Sequence, residues 1–180
     1  MATWLTYNST EGATPRQAAV VILYEEAGGS VLFVKRNRRL AFMGGHYAFP
    51  GGRVSESDTG RCVKNVSDPG LARYLTAAVR EVFEETGILL AKGFCRCYGQ
   101  DDPVRRGVVE APEKFEPFLE SEGYHIDMDD FVPAGRWITP SFSPMRFDTR
   151  YFLYRCPAPL SASPMGETEE ITEVDWLTPQ

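Results

Sequence analysis

The sequence predicts an α+β fold, a sandwich of helices on a mixed β-sheet, in a single domain over residues 1–180. Two observations carry this. Runs rich in β-branched and aromatic residues recur towards both ends of the chain, and between them lies one long segment with helical periodicity and its own start and stop signals. The length suits one domain, and 43% hydrophobic with 12% aromatic residues is enough to fill one core. No internal repeat or low-complexity segment interrupts the pattern.

From the N-terminus, residues 17–25 and 30–36 read as strands joined by Glu26-Ala27-Gly28-Gly29, a hairpin signal. A short third strand is expected at 47–50. Residues 59–71 are rich in Gly, Ser, Asp and Asn with scattered apolar positions, so they read as an inserted loop. A helix follows. Ser67 or Asp68 can act as N-cap, Pro69 suits the first helical position, and Gly87 stands just past the last turn. Leu71, Leu75, Ala78, Val79, Val82 and Phe83 recur at helical spacing and make one apolar stripe. One or two strands are expected between 88 and 98, then a charged stretch over 101–130 with its helix at 113–122. Strands return at 136–140, at 149–156 and after Glu170. The chain stops at Thr178-Pro179-Gln180, where Thr can cap and Pro suits a first turn. A terminal helix is therefore expected there and is missing, through truncation or a disordered tail.

Residues 80–88 read Arg-Glu-Val-Phe-Glu-Glu-Thr-Gly-Ile and put Glu81, Glu84 and Glu85 within just over one turn of the central helix. Residues three and four apart are surface neighbours on a helix, so the three carboxylates share one side next to the apolar stripe. Like charges held this close cost free energy on a bare surface. Hard divalent cations such as Mg²⁺ or Mn²⁺ among the oxygens would offset that repulsion. The competing reading is an acidic face that is merely solvated. Upstream, Phe49-Pro50-Gly51-Gly52-Arg53-Val54 leads from a strand into a loop, and its paired glycines let the backbone approach a ligand closely.

Together these segments resemble the Nudix box, whose usual form is Gly, five residues, Glu, seven residues, then Arg-Glu-U-x-Glu-Glu-x-Gly-U with U aliphatic. Gly52, Arg80, Glu81, Val82, Glu84, Glu85, Gly87 and Ile88 fill their places. Asp58 stands where the box has its first Glu, and twenty-one residues separate it from Arg80 where seven are usual. Leu32-Phe33-Val34-Lys35-Arg36, Gly45 and Phe49-Pro50-Gly51-Gly52 are similar to the motif preceding the box in coenzyme A diphosphatases of the family, with departures at Asn37 and Ala41. Trp137-Ile138-Thr139-Pro140 and residues 146–152 look like the branch containing the peroxisomal coenzyme A diphosphatase. The similarities cover most of residues 18–178.

The resemblance implies a Nudix-type α/β/α sandwich and metal-dependent hydrolysis of a nucleoside diphosphate linked to another group, X. Coenzyme A or acyl-CoA is the expected substrate, ADP-ribose or NADH the alternative, and a nucleotide sensor without catalysis the alternative function. It implies Mg²⁺ or Mn²⁺ held by Glu81, Glu84 and Glu85 with help from the Gly51 carbonyl. Arg80 is expected to pair with the neighbouring carboxylates and fix their rotamers rather than to clamp phosphate. Asp58 is expected mainly to orient. The general base is expected at Glu169 or Glu170 in the run Gly166-Glu167-Thr168-Glu169-Glu170, with Glu81 as the fallback. Arg36, Arg53, Arg146 and Arg150 are candidates for the substrate phosphates, since guanidinium forks fit phosphate oxygens. Gly52 and Phe49 are expected to line the substrate, and Tyr47, Phe49 and Phe147 are candidates to stack on adenine. Family members often pair, so a homodimer, formed through the 101–130 region, is one expected assembly.

Charge and composition narrow the partners. Nineteen basic against twenty-five acidic residues give a formal charge of −6, which argues against a general nucleic-acid binder and leaves anionic substrates to approach through bound cations. The longest apolar run, residues 18–24, is too short to span a bilayer, and the N-terminus lacks a basic region followed by an apolar stretch. A cytoplasmic protein with no membrane partner is expected. Cys62, Cys95, Cys97 and Cys156 show no Cys-x-x-Cys spacing, so they read as reduced and structural. His46 and His125 read as structural or surface residues, although His46 precedes the Gly-Gly loop.

Overall fold

The computed structural model describes residues 13–40, 43–92, 94–165 and 170–178. Its strands are β1 (Arg16–Glu25), β2 (Val31–Arg36), β3 (Tyr47–Ala48), β4 (Gly51–Arg53), β5 (Val63–Lys64), β6 (Ile88–Ala91), β7 (Phe94–Cys97), β8 (Ile126–Asp127), β9 (Phe131–Ile138), β10 (Phe147–Cys156) and β11 (Ile171–Leu177). The helices are α1 (Pro69–Thr86), α2 (Pro103–Glu110) and α3 (Phe115–Ser121), with single 3₁₀ turns at Pro112–Lys114 and Met128–Asp130. Ala41, Glu169 and Pro179 lie outside the described residues. Among those described, no helix is long and apolar enough to cross a membrane.

The main sheet is mixed, in the order β11-β2-β1-β10-β9, with β3 added to β2 and β4 to β1. β1 and β10 run parallel in register from Arg16 opposite Phe147 to Glu25 opposite Cys156, while the other pairings are antiparallel. Alternation along each strand decides what is buried. Ala19, Val21 and Leu23 of β1, Leu32 of β2 and Phe152 of β10 are fully buried in one core with Leu75, Ala78, Val79, Val82 and Phe83 of α1. Full burial of a Leu, Val or Phe contributes about 1.5–3 kcal/mol each, so this helix–sheet contact stabilises the fold substantially.

The signals at both ends of α1 are used. The Asp68 side chain accepts the Gly70 amide at 2.8 Å, with Pro69 following in the first turn. Gly87 takes up φ 77°, in the left-handed region, and donates its amide to the Phe83 carbonyl at 2.9 Å. A side chain at Gly87 would also collide with the Tyr98 carbonyl, because β6 and β7 form a hairpin that turns back directly over the helix end.

The segment at 59–71 is built into the fold and is not a free loop. Residues 69–71 are the first turn of α1, and β5 pairs in parallel with β8, Val63 opposite Ile126. Glu116 of α3 is 2% exposed and its carboxylate accepts the Thr59 amide at 2.9 Å, the Thr59 hydroxyl at 2.8 Å and the Cys62 amide at 3.4 Å. The helix expected at 113–122 is divided into a 3₁₀ turn and α3, and α2 is an additional helix over Pro103–Glu110. Both pack on the α1 side, where Phe115 and Leu119 join the core. Cys62 and Cys156 are buried thiols and Cys97 is an exposed one. Burial pushes the Cys62 thiol up to about 11, which keeps it protonated and unreactive.

Replacing Glu116 by Ala strands the Thr59 and Cys62 amides and is expected to cost about 1–3 kcal/mol. Urea denaturation reads this as a lower midpoint, and limited proteolysis is expected to cut first within residues 55–66. An unchanged midpoint would show that Glu116 does not anchor the insertion.

Candidate active site

The last turns of α1 face β4, which is held edge-on to β1 through Gly51 opposite Val20 and Gly52 opposite Ala19. Two of the three acids touch the glycine pair. The Gly51 amide donates to Glu85 Oε2 at 3.0 Å, and a Cβ on Gly52 would overlap the Glu81 carboxylate, so only glycine leaves that carboxylate its place. At this cluster Gly51 therefore contributes its amide to Glu85.

Arg80 organises the group from beneath. Its side chain is 3% exposed, and all five of its N–H donors are engaged. Nε and Nη2 donate to the two Asp58 oxygens at 2.9 and 3.0 Å, Nη2 also to the Arg53 carbonyl at 3.0 Å, and Nη1 to Glu81 and Glu84 at 3.0 and 2.9 Å. Asp58 is itself buried and accepts the Ser55 amide at 2.7 Å. It thus ties the Gly-Gly loop, the start of the insertion and the acid helix to one guanidinium.

The acids are under-neutralised. Burial pushes the Glu81 carboxyl up to about 7, with Arg80 opposing the shift and Glu84 adding to it. Burial also raises Glu84, and it raises Glu85 well above the usual carboxylate range, where the charge of Glu81 adds to the effect and the Gly51 amide opposes it. Burial works against the Arg80 charge too, yet its Asp58 hydrogen bond and the neighbouring glutamates hold its pKa above the ordinary value. A set of hard carboxylate oxygens with surplus negative charge fits Mg²⁺ or Mn²⁺. Among the described residues no three His, Cys, Asp or Glu side chains already surround a common point. That is compatible with Mg²⁺, which usually takes one or two carboxylates and completes its octahedron with water and substrate phosphate.

The cluster opens on a cleft of about 880 Å³. Arg36, Phe49, Arg53, Phe147 and Glu170 line it together with the two glycines and the three glutamates. Arg36 Nη2 pairs with Glu170 at 2.7 Å, and the Glu170 carbonyl accepts the Asn37 amide at 2.8 Å, which fixes that acid beside the cluster. The negative charge of Glu170 contributes to the raised values of all three glutamates. The Arg36 Nε is buried without a partner.

Three expected ligand residues sit elsewhere. Phe147, Thr149 and Tyr151 line the cleft, so strand alternation turns Arg150 the other way, where its guanidinium lies 5.4 Å from the Tyr74 ring. Arg146 is outside the lining and donates to the Thr139 and Ala13 carbonyls at 3.0 and 3.1 Å. The Tyr47 hydroxyl bonds Glu173 at 3.3 Å, away from the cleft. His46 is exposed and neither histidine lines the cleft. Conversely, Arg16, Met145, Thr149 and Tyr151 line it without having been singled out. The parallel register brings Arg16 beside Phe147 and Val20 beside Tyr151. The two-residue spacing from Phe147 was the available signal for Thr149 and Tyr151.

A carboxyl whose folded-state pKa is raised stabilises the fold below its unfolded value, and that contribution is lost as pH rises through the folded value. Without metal, stability should therefore fall between about pH 5 and pH 7.5, and Glu85→Gln should be the more stable protein at pH 7.5, by about 1 kcal/mol. Thermal melts in EDTA read both effects, and the gain should shrink at pH 5.5. A melting curve of Glu85→Gln below wild type at both pH values would contradict the account. Added Mn²⁺ is expected to raise the melting temperature of wild type and to leave that of Glu85→Gln nearly unchanged.

The chain matches the NUDIX domain over residues 14–180. It is 30% identical over 170 residues to "Putative nudix hydrolase 7" of Caenorhabditis elegans, covering 92% of this chain and 52% of that protein. The chain thus spans about half the length of the curated relative it matches. Among solved structures it is similar to a NUDIX hydrolase from Alicyclobacillus acidocaldarius, with a TM-score of 0.79, 26% identity, and 91% of this chain and 78% of that one covered. A MutT NUDIX hydrolase from Burkholderia pseudomallei shares the fold at a TM-score of 0.52 and 14% identity, over 93% and 88% of the two chains. With the box residues gathered on one buried arginine and the domain match running from residue 14 to residue 180, the chain belongs to the Nudix family.

Proposed function

We propose that this domain hydrolyses the diphosphate of a nucleoside diphosphate linked to a second group, with Mg²⁺ or Mn²⁺ held by Glu81, Glu84 and Glu85. The observation that carries this reading is the surplus of buried carboxylate at the end of α1, pressed against Gly51 and Gly52 and open to the cleft. The hydrolase names of the relatives support it. When bound, the ion supplies charge neutralisation at the diphosphate oxygens and acidifies a coordinated water.

The chain's own residues supply the rest. Arg80 has no donor left for phosphate and acts by holding Glu81 and Glu84 in their rotamers. Arg36 and Arg53, with Arg16 at the β1 end, are the cationic groups of the cleft available to the phosphates. Phe49, Phe147 and Tyr151 offer aromatic surface to a base. Glu170, fixed by Arg36 and beside the acids, is the residue proposed to take the proton of the attacking water. Glu169 and Glu81 are the other candidates for that role. The similarity of residues 32–36, 49–52 and 146–152 to coenzyme A diphosphatases favours coenzyme A or acyl-CoA as substrate.

The test is turnover of coenzyme A, acetyl-CoA, ADP-ribose and NADH with Mg²⁺ or Mn²⁺, with and without EDTA. Selective, EDTA-sensitive cleavage of the coenzyme A compounds is expected, and Glu170→Gln should lower kcat about 10²-fold or more with little change in KM. Preference for ADP-ribose or NADH would retain the diphosphatase and replace its substrate. Binding of a nucleotide without turnover would point to a sensor.

A further inference from the structure

Arg105 of α2 is fully buried, yet among the described residues no carboxylate pairs with it. All five of its N–H donors reach uncharged oxygens instead. Nε and Nη2 donate to the Glu84 carbonyl at 3.3 and 3.0 Å, Nη1 to the Tyr98 carbonyl and the Ser163 hydroxyl, both at 3.2 Å, and Nη2 to the Ser163 carbonyl at 2.7 Å. A buried cation answered only by carbonyls and a hydroxyl is costly, and its presence needs a reason.

The reason lies in the last turn of α1. A helix C-terminus carries partial negative charge and orphan carbonyls, and cations there are favourable. No basic residue occurs in the last turn of α1, so that turn provides no cation of its own. The carbonyls are taken up one by one. Val82 is bonded by the Thr86 hydroxyl at 2.6 Å, Phe83 by the Gly87 amide at 2.9 Å, Glu84 by Arg105, and Thr86 by the Ser163 amide at 2.9 Å. Arg105 thus supplies from α2 the charge that the last turn of α1 lacks, at Glu84, whose side chain faces the cleft. Gly87 makes the approach feasible, because a Cβ there would come within 2.9 Å of Arg105 Nη1. The Asp102 side chain, capping α2, accepts the Val104 amide at 2.9 Å and the Arg105 amide at 3.4 Å and so sets the root of the arginine. Burial lowers the Arg105 pKa only to about 10, with Asp102 opposing, so the group remains a cation at neutral pH.

We propose that Arg105 is a positioning residue for the metal site: it fixes the backbone of Glu84 and Glu85 from behind, so that two mutually repelling carboxylates stay aimed at one ion. This rests on the metal reading given above. Residues that brace ligands without touching the ion typically change metal affinity 10–100-fold when replaced.

Mn²⁺ titration of the metal-free protein, followed by the electron paramagnetic resonance of free Mn²⁺, tests it on wild type, Arg105→Gln, Arg105→Lys and the exposed control Arg106→Gln. Arg105→Gln is expected to weaken Mn²⁺ binding at least about tenfold. Arg105→Lys keeps the charge but cannot span the three carbonyls, and is expected to fold and to lose about threefold or more. Arg106→Gln should bind as wild type does. A lower melting temperature with unchanged Mn²⁺ affinity in the Arg105 variants would overturn the inference and leave Arg105 a packing residue only. Absence of Mn²⁺ binding by wild type would instead sink the metal reading and the inference together.

Discussion

The Arg80 guanidinium joins parts of the chain that the inserted segment would otherwise hold apart. Asp58 precedes the insertion and Arg80 follows it, and their two-pronged contact closes the interval while the same guanidinium holds the Arg53 carbonyl, Glu81 and Glu84. The Arg53 carbonyl at the end of the glycine strand is tied to Nη2, and Nη1 gives one hydrogen each to Glu81 and Glu84. Removing one partner of a buried ion pair usually costs about 3–5 kcal/mol, so this contact is a structural one. It also explains how a short Asp serves in place of a Glu: the carboxylate is drawn fully inside and reinforced by the Ser55 amide.

Around this contact the fold gives up some stability. The apolar face of α1 gains free energy against β1 and β10, while its acidic face gives some back through raised carboxylate pKa values. The acids lie at the C-terminal end of the helix, where the macrodipole opposes negative charge as well. Compensation comes from Arg80 of the same helix, below the carboxylates, and from Arg105 of α2, behind the backbone. Two arginines with all their donors engaged therefore bracket one turn of helix, one reading side chains and the other reading carbonyls.

Much of this was legible in the sequence because it is local. The i, i+3, i+4 spacing of Glu81, Glu84 and Glu85, the Asp68-Pro69 start and the Gly87 stop each act within a few residues, and the structure keeps them. The hairpin at Glu26–Gly29 and the strands at both ends of the chain are local patterns as well. What stayed hidden depends on distant partners. Loop-like composition concealed the anchoring of the insertion, because Glu116 lies 57 residues from Thr59. Arg105 looked like one more surface charge in a charged stretch, since nothing nearby marks it as buried. Arg150, a candidate phosphate ligand, lies on the Tyr74 side, because a one-residue step along β10 separates that side from the cleft. The parallel pairing of β1 with β10, which builds the cleft floor, spans most of the chain and has no local signal.

The end of α1 and the Gly51–Gly52 strand are proposed to form one divalent-cation site. The most direct measurement is a crystal soaked in Mn²⁺ and measured at the manganese anomalous edge. A single strong peak within about 2–2.5 Å of oxygens from at least two of Glu81, Glu84 and Glu85 is the predicted result. Ordered glutamates with no anomalous peak among them, or manganese found only at sites remote from α1, would contradict the account.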